Sequence, residues 1–167
     1  MAVTYTPRPA AGLIAGIAAG LVASAAMSAF QAAATKLSSD DSGGGDDEGD
    51  PATVKAADLV TRAATGEKVP EPYRDLSGEV VHYVVGAAMG GFYGWLAEYR
   101  PMASAGFGSA YGLATSALFD EAAVPALGLS DAPWEQPLTT HAYGVASHLV
   151  FGVTLEATRW LLGGRKD

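Results

Sequence analysis

The stretch GEVVHYVVGAAMGGFYGWLAEYRP, residues 78–101, decides the fold class of this chain. Between Glu79 and Glu98 it carries no formal charge except the proton that His82 can hold. An α-helix needs about 20 consecutive apolar residues to cross the hydrocarbon core of a bilayer. Residues 78–99 therefore predict a transmembrane helix with a histidine one turn inside its start.

Three further apolar runs have similar lengths. They lie at residues 10–34, 102–127 and 138–163, and alanine and glycine are abundant in all three. Charged residues make up 17% of the chain, below the roughly one quarter that is usual in soluble domains. We therefore predict an all-α, polytopic membrane protein with four transmembrane helices.

The segments between these runs are polar. Residues 35–77 contain most of the acidic residues and predict an outer loop, flexible where glycine and aspartate cluster. Within that loop, residues 51–65 have apolar side chains at helical spacing and predict one short amphipathic helix outside the membrane. Residues 128–137 predict a second outer loop, and residues 164–167 a cytoplasmic tail.

Small residues recur at every fourth position of each run. Residues four apart share one face of a helix, and a face of small residues lets two membrane helices approach closely. We therefore predict that one set of glycines lies at helix contacts. The set is Gly12, Gly16, Gly20, Gly86, Gly90, Gly94, Gly108, Gly112 and Gly152.

The chain contains an internal repeat. GEVVHYVVGAAMG, residues 78–90, aligns without gaps with GVASHLVFGVTLE, residues 144–156, and this alignment places His82 on His148. The first and third runs match more loosely through small residues at spacing four. We interpret the four runs as two tandem helical hairpins of two spans each, with biased composition as the alternative explanation.

Basic residues predict the orientation, because short cytoplasmic segments are enriched in arginine and lysine. Arg8 precedes the first run, Arg100 lies in the turn between the second and third, and Arg165 and Lys166 follow the fourth. Both termini are therefore expected in the cytoplasm. The first run could instead be a cleaved signal peptide, but its apolar stretch exceeds a typical signal core, which favours a retained helix.

Several polar residues are predicted at one depth, counting 1.5 Å per helical residue. Ionisable groups within a membrane generally point to function, although a histidine can simply donate a hydrogen bond to a carbonyl of the facing helix. A structural role, in which hydrogen bonds hold the helices together, is the first interpretation of these residues. A site that handles protons or ions is the second. The candidate residues are His82, His148, Asp120, Glu121, Gln31 and Glu79.

A metal site is the third interpretation of the same residues. Glu79 and His82 have the Glu-x-x-His spacing of di-iron bundles, but those bundles need a second such pair and this chain has Val-Ala-Ser-His148 at the equivalent place. We therefore predict no metal and no cofactor. Near the inner end, Glu156 and Arg159 are three residues apart and predict an ion pair.

Composition and motifs exclude several function classes. The net charge of −8 argues against nucleic-acid binding. The chain has no cysteine, so it has no thiolate nucleophile and no disulfide. The metallohydrolase motif H-E-x-x-H and the hydrolase motif G-x-S-x-G do not occur. We assign no catalytic residue, and enzymatic activity is the less favoured interpretation.

The segment ALFDEAAVPALGLSDAPWEQPLTTHAYGVASHLVFGVTLEATRW, together with VHYVVGAAMGGFYGWLAEYRP, resembles the YagU-like small inner-membrane proteins of bacteria. The landmarks are Pro125-x-Leu127, Pro133-Trp134 and the triplet that begins at His148. The family's glutamate followed by two prolines after the first span is missing, and Gln31 stands there instead. The resemblance implies a multi-pass plasma-membrane protein without a settled activity and with a suggested link to acid tolerance, and it carries over no catalytic residue.

The expected function is a non-enzymatic membrane protein that packs with itself or in a larger complex, with a role in acid or envelope stress. The alternative is a small proton-coupled transporter or channel that uses His82, His148, Asp120 and Glu121. The third is a metal-dependent membrane enzyme. The expected partners are the lipid bilayer and either a second copy or a larger membrane complex, and the expected location is the bacterial inner membrane.

Overall fold

The computed structural model of the chain describes residues 6–41 and 50–164, and in these residues all regular structure is helical. This confirms the all-α prediction. Residues 42–49 of the acidic loop, and Arg165 and Lys166, lie outside the described residues. The α-helices are α1 (Pro9–Asp41), α2 (Ala52–Thr65), α3 (Arg74–Tyr99), α4 (Ser109–Leu118), α5 (Val124–Ala126) and α6 (Leu138–Leu161).

Two helical segments, Pro9–Leu37 and Glu71–Tyr99, are long and apolar enough to cross a membrane. No other helix of the described residues meets that criterion, so two of the four predicted spans have such a helix and the prediction of four spans is not supported. The polar side chains at His141, Glu156 and Arg159 interrupt the apolar character of α6.

The prediction of one continuous helix over residues 102–127 is wrong. A 3₁₀ turn at Pro101–Ser104 follows α3, and Gly106, Phe107 and Gly108 then have positive φ angles, which a right-handed helix excludes. Helix α4 consequently begins only at Ser109. After ten residues it passes through a π-helical turn, Phe119–Ala123, into α5.

The other boundaries agree more closely with the sequence. Helix α2 begins one residue later than predicted and ends at the same place, and α6 begins at the predicted residue. Helix α1 continues to Asp41, seven residues beyond the predicted end at residue 34. Helix α3 begins at Arg74, four residues before the predicted start at residue 78.

Helices α1 and α3 form an antiparallel pair in which backbone packs directly on backbone. A Cβ added to Gly90 would lie 2.6 Å from the Cα of Gly20 and would overlap the carbonyl oxygen of Gly16. Helices α4 and α6 form a second antiparallel pair, where a Cβ added to Gly152 would lie 2.9 Å from the Cα of Gly112. All nine glycines of the predicted set lie at such contacts.

The two pairs join where α1 packs against α6. The buried core at this junction consists of Ala19, Ala23, Met27, Tyr93, Phe151 and Leu155. The antiparallel arrangement gives the bundle two different ends. One end, which we call the charged end, brings together the start of α1 and the last turns of α3 and α6. The opposite end carries α2, which packs on the first turns of α3 through Val54 and Ala57.

An ion-pair cluster fixes α2 to the start of α3. The guanidinium of Arg74 pairs with Asp50 and lies 3.3 Å from the carboxylate of Asp58. Asp58 also accepts a hydrogen bond from the backbone N–H of Val69 at 2.9 Å. The Val69 hydrogen bond, together with the charge and hydrogen bonds of Arg74, holds the pKa of Asp58 below its ordinary value, against the opposing effect of desolvation.

We expect this attachment to weaken in acid. An aspartate ordinarily has a pKa of about 3.9. Because the folded-state pKa of Asp58 is lower, its interactions stabilise the folded state above that pH, and the stabilisation is lost as the pH falls through the folded-state value. Hydrogen-exchange protection of the Val69 amide, corrected for the intrinsic exchange rate, should therefore decrease below about pH 4. Asp58→Asn keeps the size and an acceptor oxygen but should remove that pH dependence. An identical pH profile in the variant would contradict this role of Asp58.

Candidate functional site

A cavity of about 760 Å³ lies between α1, α2, α3, the π-helical turn and α6. It is at the end of the bundle that carries α2, and exposed residues such as Glu79 contribute to its lining. We call it the bundle cavity. Five of the six residues that the sequence proposed as a polar site line it, and Glu121 does not. These five are Gln31, Glu79, His82, Asp120 and His148.

His148 binds a carboxylate across the second helix pair. Its Nδ1 lies 3.1 Å from Oδ2 of Asp120 and 3.1 Å from the carbonyl oxygen of Gly144, one turn earlier on α6. The hydroxyl of Ser116 donates a second hydrogen bond to the same Asp120 oxygen at 2.9 Å. Since both neighbours of Nδ1 are acceptors, Nδ1 carries the hydrogen in the neutral ring. Nε2 is then the nitrogen that can accept a proton.

His82 occupies the equivalent position of the first helix pair but uses the other ring nitrogen. Its Nε2 lies 3.4 Å from the carbonyl oxygen of Ser24 on α1. This is a weak hydrogen bond to a facing helix, the simplest role that the sequence predicted for a histidine in a small-residue face. The two imidazoles therefore line the same cavity, and only that of His148 has a carboxylate partner.

Glu121, the neighbour of Asp120, serves a different histidine. Its Oε1 lies 2.6 Å from Nδ1 of His141, whose Nε2 lies 3.0 Å from the carbonyl oxygen of Pro133. Acceptors thus face both ring nitrogens, an arrangement that suits the doubly protonated imidazolium. This pair ties the π-helical turn to the start of α6 and to the loop before it. The prediction that placed Glu121 with the two other histidines is not met by this geometry.

Both acidic residues lie in a π-helical turn that precedes an internal proline. Pro125 lacks a backbone N–H, and its ring would clash with the carbonyl of Glu121 in a regular α-helix. The wider turn at Phe119–Ala123 accommodates it, with the N–H of Val124 donating to the carbonyl of Phe119. Such turns are rare in general and are frequent at functional sites. The internal proline was the only sequence signal for it.

The charged end contains a buried network around the predicted ion pair. Arg159 donates two hydrogen bonds to Glu156, each of 2.7 Å, and the hydroxyl of Tyr93 donates a third to the same carboxylate at 2.7 Å. The guanidinium also lies over the ring of Tyr93, 5.8 Å from its centroid. Arg159 is only 2% exposed and Glu156 4%. The predicted pair is thus present and is buried inside the bundle.

Glu98 belongs to the same end and was not predicted to have a role. It is 2% exposed, and its Oε2 accepts a hydrogen bond of 2.8 Å from the backbone N–H of Arg8, just before α1. The first N–H groups of a helix have no partner within the helix, and the helix dipole favours a negative charge there. Glu98 therefore satisfies the start of α1 from a different helix, a pairing between residues 90 positions apart that sequence spacing cannot predict.

No group of three or more histidine, aspartate or glutamate side chains is arranged to hold a metal ion in residues 6–41 and 50–164. The ionisable groups instead form ion pairs and small hydrogen-bonded clusters. The chemistry that this arrangement offers is reversible protonation at imidazole and carboxylate groups facing a cavity.

A model of a protein family described as a protein of unknown function, DUF1440, matches residues 65–157, more than half of the chain. The matched region contains both cavity histidines, Asp120 and Glu156, and it begins after α1. Among curated proteins no match was found. Among solved structures no match was found either.

Proposed function

Because the chain belongs to the DUF1440 family, whose function is unknown, we propose a function from the geometry of the bundle cavity. The protein is a small multi-pass membrane protein that exchanges a solute for protons at this cavity. The observation that carries the proposal is the position of His82, His148 and Asp120 on the wall of one space of about 760 Å³.

The membrane placement is part of the proposal. Four spans, arranged as two tandem hairpins in the bacterial inner membrane, put Arg8 and Arg100 on the cytoplasmic side together with both termini. The charged end then faces the cytoplasm, and the bundle cavity opens outward under α2. Two apolar helices support a location in a membrane, and the resemblance to YagU-like inner-membrane proteins, with its suggested link to acid tolerance, supports the bacterial inner membrane.

The cavity favours exchange over a purely structural role. Protein interiors are normally packed without large voids, whereas small-molecule sites are cavities of about 300–1,000 Å³ with a few polar groups on apolar walls. The opposite end is closed by the buried network of Tyr93, Glu156 and Arg159. A site open on one side and closed on the other is what alternating access requires.

The small-residue faces support the same conclusion. The glycines of α1 and α3 contact one another, as do those of α4 and α6. These faces are therefore occupied within the chain and give no support to association with a partner. A homo-oligomer or a larger membrane complex stays a prediction.

We expect the cavity to be accessible to water from the outer side of the membrane. The chain has no cysteine, so single cysteines can be introduced directly. Ser28 lines the cavity, whereas its neighbour Ala29 is exposed on the outside of the bundle, where lipid would cover it. In intact cells a charged, impermeant thiol reagent should label Ser28→Cys and leave Ala29→Cys unlabelled.

Two further positions calibrate that experiment. Ala132→Cys, in the outer loop, should be labelled from outside, and Ser104→Cys, in the turn after α3, should not. The rate for Ser28→Cys relative to Ala132→Cys should change with pH, and His82→Gln plus His148→Gln should abolish the change. An unreactive Ser28→Cys would show a dry bundle and contradict the proposal. Labelling of Ser104→Cys from outside would reverse the orientation.

A further inference from the structure

The lining of the bundle cavity has a strongly biased charge. Three carboxylates line it: Asp75 and Glu79 on α3, and Asp120 on the π-helical turn. The imidazoles of His82 on α3 and His148 on α6 are its other titratable groups, and α1 and α2 contribute none. Within the part of the chain that the structure describes, no lysine or arginine lines the cavity.

The remaining lining is mostly apolar and includes flexible and aromatic side chains. Methionine adapts to ligands of irregular shape because its unbranched side chain has three rotatable bonds. Aromatic faces attract cations through their quadrupole. The side chains of these kinds in the wall are Met27, Met89, Phe119 and Phe151, with Val85 and Leu129 beside them.

We propose that the solute is an organic cation with an apolar body, bound by the carboxylates and displaced by protons. This inference rests on the proposed function and names the chemical class of its substrate. An anion would meet three carboxylates with no lysine or arginine to balance them, and a small hydrated metal ion would not use the apolar wall. An organic cation with an apolar body fits both the carboxylates and the apolar wall of the cavity.

Proton and cation compete at the pair formed by Asp120 and His148. Asp120 accepts hydrogen bonds from Ser116 and His148 through one oxygen, Oδ2, which leaves Oδ1 for the cation. Protonation of His148 places a positive charge beside the carboxylate of Asp120. This charge weakens cation binding, and by linkage cation binding releases a proton. Asp75 and Glu79 add to the attraction nearer the opening.

The test uses two probes of the same shape and opposite charge. Tetraphenylphosphonium and tetraphenylborate are measured by equilibrium dialysis against the purified full chain in detergent micelles, with protein-free micelles as the blank. We expect saturable binding of tetraphenylphosphonium and none of tetraphenylborate. Binding should be weaker by about tenfold or more at pH 5 than at pH 8, as expected when the imidazole of His148 takes up a proton beside the carboxylate of Asp120. Equal binding of both probes, or saturable binding of neither, would overturn the cation inference.

Two variants with the same change of charge locate the site. Asp120→Asn should lower the affinity for tetraphenylphosphonium by about tenfold and reduce its pH dependence. Glu67→Gln, at an exposed position away from the cavity, should leave both unchanged. Equal effects of the two variants would show attraction by overall charge only and would overturn the assignment of the site.

The outcomes separate this inference from the proposed function. If Ser28→Cys is reactive with a pH-dependent rate but tetraphenylphosphonium does not bind, the proton-responsive cavity stands and the cation inference falls. If tetraphenylphosphonium binds and protects Ser28→Cys from labelling, but with no dependence on pH or on Asp120, the cavity binds cations and proton exchange is contradicted.

Discussion

Replacement of Arg159 by methionine is expected to lower the free energy of unfolding by about 3–5 kcal/mol, the loss typical when one partner of a buried ion pair is removed. Arg159 is 2% exposed and donates two hydrogen bonds to Glu156, which is itself buried. Methionine fills much of the same space without a charge, so the variant leaves the carboxylate of Glu156 buried with only the hydroxyl of Tyr93 as a donor. The measurement is thermal or denaturant unfolding of the purified chain in detergent.

A second change should restore most of that stability. Glu156→Gln combined with Arg159→Met removes both charges, and replacing a buried pair completely is often nearly neutral. The control is Arg100→Met, at an exposed position after α3, where we expect a change below about 0.5 kcal/mol. If the double variant is as unstable as Arg159→Met, the loss comes from contacts other than the pair. That result would contradict the assigned role of Glu156.

The helix pairing could be predicted from the sequence because it depends on a local property. Residues at spacing four share a helix face whatever the remaining fold is, so the glycine positions indicated the contact faces of α1 and α3 before any contact was known. The alignment of residues 78–90 with residues 144–156 placed His82 and His148 at corresponding positions, and the structure puts both on one cavity. Depth along a helix also follows from a constant rise per residue, which brought Asp120 to the same level.

The features that the sequence did not predict depend on interactions between distant residues or on backbone geometry. The start of α4 depends on three successive residues with positive φ, of which Phe107 is not a glycine. Asp120 and Glu121 lie in a π-helical turn just before Pro125, and each binds a different histidine. A regular helix would place these residues about 100° apart, which does not indicate which one faces the cavity. Glu98 pairs with the first N–H of another helix, and no periodicity along α3 signals that contact.

The polar groups inside the bundle lie in two places, the charged end and the bundle cavity. At the charged end Glu156, Arg159 and Tyr93 form hydrogen bonds of 2.7 Å with one another and are buried. In the bundle cavity a few polar groups lie on a mostly apolar wall, and Nε2 of His148 is the nitrogen that can accept a proton. A buried network of hydrogen bonds stabilises the fold, whereas polar groups on the wall of a cavity can bind a ligand. We therefore place function in the cavity and stability at the charged end.

Replacement of Gly90 by alanine is the other change with a large expected effect. A Cβ at this position would overlap the carbonyl oxygen of Gly16 and lie 2.6 Å from the Cα of Gly20. Both obstacles are backbone atoms, so the new methyl group can be accommodated only if α1 and α3 move apart along their length. Overpacking of this kind typically costs about 1–3 kcal/mol or more, although alanine recovers up to about 1 kcal/mol of helix propensity relative to glycine. We expect a clear net loss of stability and of folded yield in detergent.

Gly91→Ala is the matched control, since it makes the same chemical change one residue later on α3. There the added Cβ would meet side-chain atoms of Ile17 at 2.9 Å and of Leu13 at 3.1 Å, and such side chains can rotate away. The gain in helix propensity is the same, so the difference between the two variants isolates the backbone contact. Gly91→Ala should therefore unfold at or near the wild-type temperature, and Gly90→Ala several degrees lower, because about 1 kcal/mol shifts the melting temperature of a domain of this size by a few degrees. Equal melting temperatures for the two variants would mean that α1 and α3 do not pack through this glycine face.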